Sequence, residues 1–215
     1  ILVYRFFNGE VVSSTYNSGF IRIGSPQIVY DYIKLRDPIP TDNPGATAHM
    51  ASLAGSSIVQ TQGIDPILQI TCRDRNRLAI QSDLMGASAL GINNVLTLAG
   101  DPVKNGDQTD AKAVFDINSK TILSIMDSMN NEGITMSGRE LQSKPNFFPG
   151  GAAIIHEPED DWEPKALNDK ALSGAKFIQT QFCYDADLVK RYMSRIVEAG
   201  LSEKMYFIVG IGPLR

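Results

Sequence analysis

Apolar residues along this chain gather into short runs that stop abruptly at polar groups. Four of them are Pro66-Ile67-Leu68-Gln69-Ile70-Thr71-Cys72, Asn93-Asn94-Val95-Leu96-Thr97-Leu98-Ala99-Gly100, Lys176-Phe177-Ile178-Gln179-Thr180-Gln181-Phe182 and Met205-Tyr206-Phe207-Ile208-Val209-Gly210. Bounded runs of this length read as buried parallel strands. The first pair begins roughly 30 residues apart, as does the second, which is the length of one strand, one helix and two turns. The intervening segments carry the helical period. Ile80, Leu84, Ala87 and Gly91 fall on one helix face; Ile122, Ile125, Met126 and Met129 on another, ending at Gly133; Val189, Tyr192, Met193 and Ile196 on a third, ending at Gly200. Strands alternating with helices in this way predict βα units around a parallel sheet.

Seven strands are predicted, near Val11 to Thr15, Ile39 to Thr41, Ile67 to Thr71, Val95 to Leu98, Ala152 to Ile155, Phe177 to Gln181 and Tyr206 to Ile211. Two architectures compete, an open doubly wound sheet and a closed (β/α)8 TIM-type barrel. Polar residues inside the strands (Gln69, Thr71, Thr97, Gln179, Gln181) suit a barrel interior better than a central open sheet, so the barrel is the expectation. A barrel needs eight strands, and the chain stops at Gly212-Pro213-Leu214-Arg215. The expectation is one domain over residues 1–215 that lacks the last βα unit, with residues 1–37 fitting no clean strand–helix unit. Asn130 to Gly151, rich in Gly, Ser, Asn and Pro, reads as a long connection, as does His156 to Pro164 with its acidic run.

Composition narrows the class. The 215 residues suffice for one large core. With 20 Lys and Arg against 24 Asp and Glu, the net charge is −4, so no basic surplus invites nucleic acid. No apolar run approaches the ~20 residues of a membrane span. Cys72 and Cys183 are the only cysteines and His49 and His156 the only histidines. That set offers neither a disulfide framework nor a metal-ligand spacing, and it fits a reducing, cytoplasmic setting.

Parallel strands deliver side chains to a site at their carboxyl ends. Asp101 and Gln181 stand at two such ends. Each candidate also has an ordinary reading. Asp101 could cap the next helix, and Gln181 could satisfy buried backbone groups. Lys170 could be a surface lysine on a helix, and His156 could be a solvated loop residue. Cys72-Arg73-Asp74-Arg75-Asn76-Arg77 reads as an exposed link with local ion pairs. Thr41-Asp42-Asn43-Pro44-Gly45-Ala46 reads as a strand end, a turn and a helix start. Gly210-Ile211-Gly212-Pro213 lacks the third glycine of a dinucleotide fingerprint and reads as a turn.

Taken in order, Thr41 to Ala46, Ile70 to Arg77, Leu84 to Leu96, Ala99-Gly100-Asp101-Pro102 and Gly174 to Gln181 resemble the methylenetetrahydrofolate reductase family over residues 41 to 215. The resemblance implies a flavin barrel, holding FAD or FMN in its place. It implies reduction of 5,10-methylenetetrahydrofolate to 5-methyltetrahydrofolate by ping-pong hydride transfer from NAD(P)H. It also implies roles. Asp101 would lie by the flavin pyrimidine edge and the folate, and Gln181 would hydrogen-bond the pterin. Thr41, Gln69, Thr71, Gly100, Phe115, His156 and Lys170 would border the flavin, Lys170 near its phosphates. Three departures stand out, the absent last βα unit among them. The family's first-strand glutamate, its general acid, has no counterpart in Val11-Val12-Ser13-Ser14-Thr15-Tyr16, and Glu10 lies at the wrong end; Gln69 replaces a frequent histidine. A proline-dehydrogenase-like flavin barrel is a rival within enzymes. A different class of rival is a partner-dependent or non-catalytic subunit, fed by an iron–sulfur or zinc-containing companion. The assembly expected is a homo-oligomer or such a hetero-complex.

Overall fold

The computed structural model describes residues 5–7, 10–12, 41–159 and 161–210. Two short strands, β1 (Arg5–Phe7) and β2 (Glu10–Val12), pair antiparallel, with Phe6 opposite Val11. Ser13 to Thr15 of the first predicted strand, Ile39 and Pro40 of the second, and Gly212-Pro213 lie outside the described residues. Thr41 is irregular rather than extended.

Five further strands, β3 (Ile67–Thr71), β4 (Asn94–Leu98), β5 (Phe148–Ala153), β6 (Phe177–Phe182) and β7 (Tyr206–Gly210), form one parallel sheet in their chain order. Sequential order without a reversal is the arrangement of a barrel wall; a doubly wound sheet reverses at a switch point. Among the described residues the sheet is an open arc and does not close on itself. What stands is an α/β fold with a five-stranded parallel sheet, consistent with part of the barrel expected from the sequence.

The helices are α1 (Ser52–Thr61), α2 (Arg77–Ala89), α3 (Ser119–Asn131), α4 (Lys165–Leu172) and α5 (Ala186–Glu198). Local chemistry sets their starts. The Asn76 side chain accepts from the N–H groups of Leu78 and Ala79, Asn118 from Thr121, and Asp185 from Asp187 and Leu188. These side chains satisfy donors that the first helical turn leaves open. Gly91 and Gly200 follow α2 and α5 with φ of 76° and 67°, the left-handed exit that glycine accepts without penalty.

Strand alternation divides the sheet into two faces. Leu68, Ile70, Val95, Ile178 and Phe207 point one way and join Ile80 and Leu84 of α2, Ile122 and Met126 of α3, and Tyr192 and Ile196 of α5 in a single buried core. The other face carries Gln69, Leu96, Gly150 and Phe177 in register across β3 to β6, with Tyr206 beside Phe177. On that face Phe148 stacks on Phe177 with ring centroids 5.7 Å apart.

Two expectations are corrected. The fifth strand is not Ala152 to Ile155 but starts at Phe148, inside the stretch read as a long connection. Its Pro-Gly-Gly is packing and not a turn: a Cβ on Gly150 would fall inside the Phe177 ring, and one on Gly151 would come within 3.0 Å of the Lys170 Cδ. Pro149 sits near the strand's start, where a missing N–H costs least. The helix expected to begin near Ala46 is a single 3-10 turn, Pro44–Ala46; α1 begins at Ser52.

Candidate active site

A cleft of about 700 Å³ opens at the carboxyl ends of β3 to β6, within the ~300–1,000 Å³ typical of ligand sites. Thr41, Gln69, Thr71, Gly100, Asp101, His156, Lys170 and Gln181 all line it. Phe115 does not. It lies off the cleft, about half exposed, with φ of 42° and its N–H donating to the Cys72 carbonyl.

One wall is an interlocked rim. Asp42, 4% exposed, accepts from the Thr71 N–H (2.7 Å) and the Thr71 hydroxyl (2.8 Å), and pairs with the Arg75 fork at 2.5 and 3.0 Å. The Thr71 hydroxyl is therefore held by Asp42. Arg73, only 2% exposed, grips its neighbour Asp74 through Nε (2.7 Å) and Nη2 (2.6 Å). Two of its three remaining donors reach the carbonyls of Asn43 (3.1 Å) and Asp101 (3.2 Å). The hydrogen-bonded Arg73 guanidinium holds the Asp74 carboxyl below its ordinary range, and Asp74 in turn raises Arg73. The expectation of an exposed link is thus wrong for Arg73. Its signal was in the sequence: Gln69, Thr71 and Arg73 fall at every second position along and beyond β3, so the arginine continues the cleft face.

Asp101 does not cap a helix. Its Oδ2 accepts from the Gly45 N–H at 2.9 Å, across from the loop that follows Thr41. Gly100 precedes it with φ of 94°, and a Cβ there would come within 2.9 Å of the Arg73 Cβ. Glycine is needed at that point for both backbone and space.

The opposite wall comes from β5, α4 and α5. Lys170 lies half-buried, its stem along Gly151 and its Nζ donating to the Ala152 carbonyl. Burial, with Lys120 adding repulsion, lowers its affinity for the proton. It faces the cleft instead of snorkelling to the surface. His156 packs edge-on to Trp162 (5.1 Å) and Tyr192 (5.4 Å), and its Nδ1 lies 3.2 Å from the Ile154 carbonyl. Trp162 and the start of α4, missed from sequence, line the same wall. Tyr192 was read only as core.

The donor set is amphipathic: small Ala99, Gly100, Ala152 and Ala153 floor the cleft, amides stand at Gln69 and Gln181, a carboxylate at Asp101, a half-buried ammonium at Lys170. Such a site suits a flat heteroaromatic ring with polar edges and an anionic extension. Among the described residues no cluster of three His, Cys, Asp or Glu is placed to hold a metal, and no helix is long and apolar enough to cross a membrane.

Comparison with known proteins gives one consistent result. The methylenetetrahydrofolate reductase family model matches residues 39–215. Methylenetetrahydrofolate reductase 1 of Schizosaccharomyces pombe (strain 972) is 29% identical over 163 residues, which cover 74% of this chain and 24% of the relative. The chain thus spans about a quarter of the length of that curated relative.

Proposed function

The chain belongs to the methylenetetrahydrofolate reductase family, and on that premise we propose that its cleft holds a flavin and serves the reduction of 5,10-methylenetetrahydrofolate to 5-methyltetrahydrofolate. The bound flavin, FAD or FMN, would supply the hydride relay between NAD(P)H and the folate carbon. In this reading the five-stranded arc is part of a (β/α)8 barrel and residues 1–215 belong to one domain. The single observation that carries the reading is convergence. Eight of the nine residues that the family resemblance singles out, contributed by separate strand ends, loops and α4, meet in one cleft of fitting size.

The residues divide the work. Lys170, buried enough to disfavour a lone charge, gains by facing an anion, so it would hold the phosphate-bearing end of the cofactor. The small residues Gly100 and Ala152 leave a slot for the ring. Gln69 offers an amide donor and acceptor to a ring edge. Gln181, exposed at the end of β6, would present both amide atoms to the pterin. Asp101 would set a negative charge beside the reacting centre. That charge opposes build-up of negative charge on a neighbouring ring and favours the cationic iminium form of the folate.

Separating the two half-reactions tests these roles. Gln181→Leu removes hydrogen bonds to the pterin alone. It is expected to raise KM for the folate by roughly 10- to 100-fold, the cost of an unmet polar group, while reduction by NAD(P)H stays within about two-fold. Equal loss in both half-reactions would place Gln181 elsewhere in the mechanism.

A further inference from the structure

We infer that Arg73 is a positioning residue for Asp101, fixing the direction in which that carboxylate faces the cleft; this rests on the role proposed for Asp101 in the reduction. Arginine carries five N–H donors in a planar fork. Asp74 takes two of them and meets the positive charge. Two more go to carbonyls, one at Asp101 itself and one at Asn43. Two residues past Asn43, the Gly45 N–H donates to the Asp101 carboxylate at 2.9 Å. The ring of bonds is closed: Arg73 to Asp101 backbone, Asp101 side chain to Gly45, Gly45 through Pro44 to Asn43, Asn43 back to Arg73. An aspartate held by its backbone and by one carboxylate oxygen has little freedom left, and its second oxygen is aimed by the first.

Neighbouring features tighten the ring. Asn43 Nδ2 donates to Asp74 Oδ2 at 3.0 Å, so the acid that anchors Arg73 is itself anchored to the same loop. Gly100 admits the Arg73 stem beside the Asp101 backbone. A Cβ on Gly106 would overlap the Ala46 carbonyl, so the segment after Asp101 packs directly on the loop. Asn43 and Ala46 both hold left-handed φ, 48° and 57°, a conformation that residues other than glycine keep only when surroundings impose it. Because Asp74 neutralises the guanidinium, the influence of Arg73 on Asp101 is geometric and not a matter of added charge. Lysine, with three donors and no fork, cannot replace it.

The test is a double-mutant cycle on the purified protein. Asp101→Asn keeps an oxygen for the Gly45 N–H and removes the charge. Arg73→Lys keeps the charge and removes the fork. R73K alone is expected to lower turnover on the order of 10-fold, within the ~10²-fold that a misplaced group can cost. It should also move the midpoint potential of the bound flavin in the direction that D101N moves it. In the D101N background, R73K is expected to change turnover by less than about two-fold and to leave the midpoint potential where D101N alone puts it, since acting through one group makes the effects non-additive. Full, independent losses in the two backgrounds would overturn the inference and leave Arg73 a tie between loops. If D101N changes neither turnover nor potential, the reading of Asp101 fails, and the inference with it. Thermal unfolding monitors the fold; should R73K not fold, Asp74→Asn, which loosens the anchor of Arg73, is read in the same cycle with the same outcomes.

Discussion

Asp42 shows how a single carboxylate can hold a strand end. It is buried, accepts two hydrogen bonds from Thr71 and pairs with both Nη atoms of Arg75, which also reaches Asp83 at 2.8 Å. Removing one partner from such a cluster leaves buried groups unmet, and that loss exceeds the net worth of the pair. Asp42→Ala is therefore expected to destabilise the fold by about 3 kcal/mol. Asp42→Asn, which keeps an acceptor for Thr71, should cost distinctly less. Urea unfolding with an unchanged slope reads this directly; equal midpoints for D42A and wild type would contradict it. At this scale the sequence was only partly legible. Asp101 and Gln181 stood out because a polar side chain that closes an apolar run marks the carboxyl end of a buried strand. Asp42 did not, because a charged residue in a turn is usually solvated, and burial by segments distant in the chain leaves no local mark; for Arg73 the same ordinary reading outweighed its place on the alternating face of β3. Phe115, which the resemblance gives as a flavin contact, is not among the residues that line the cleft.

Elements were legible where one period dominated. α2, α3 and α5 each show a buried face at helical spacing and a capping side chain, and they lie where the pattern put them. α1 has no capping side chain, and its buried residues Ser52, Gly55 and Ser56, though at helical spacing, are small and not apolar, so small-residue packing replaced the apolar stripe. β5 was misread for a related reason. Its glycines signal a turn in isolation, yet here they make room for side chains from β6 and α4. Gly150→Ala is accordingly expected to destabilise by about 1–3 kcal/mol, the usual cost of overpacking. Phe177→Leu added to Gly150→Ala should recover part of that loss, so the double mutant would be more stable than the sum of the singles predicts. Chemical denaturation of the four proteins decides it; strict additivity would show that the Phe177 ring is not what Gly150 accommodates.

For the molecule as a whole, the repeat of strand and helix announced a parallel α/β sheet, and the sheet's sequential order agrees with a barrel wall. Closure was not legible, because it depends on pairings between strands far apart in the chain, which hydrophobic period does not encode. The cleft was legible in outline, since carboxyl ends of parallel strands converge whatever the sequence. Its depth and interlocked rim came only with the tertiary structure. The central claim is that this convergence holds a flavin that passes reducing equivalents to a folate. The visible spectrum of the purified protein, loaded with FAD and followed anaerobically, tests it most directly. The account predicts a flavin band that bleaches on addition of NADH or NADPH and returns on addition of 5,10-methylenetetrahydrofolate. A protein that takes up neither FAD nor FMN, or a reduced band that the folate leaves untouched, would contradict it.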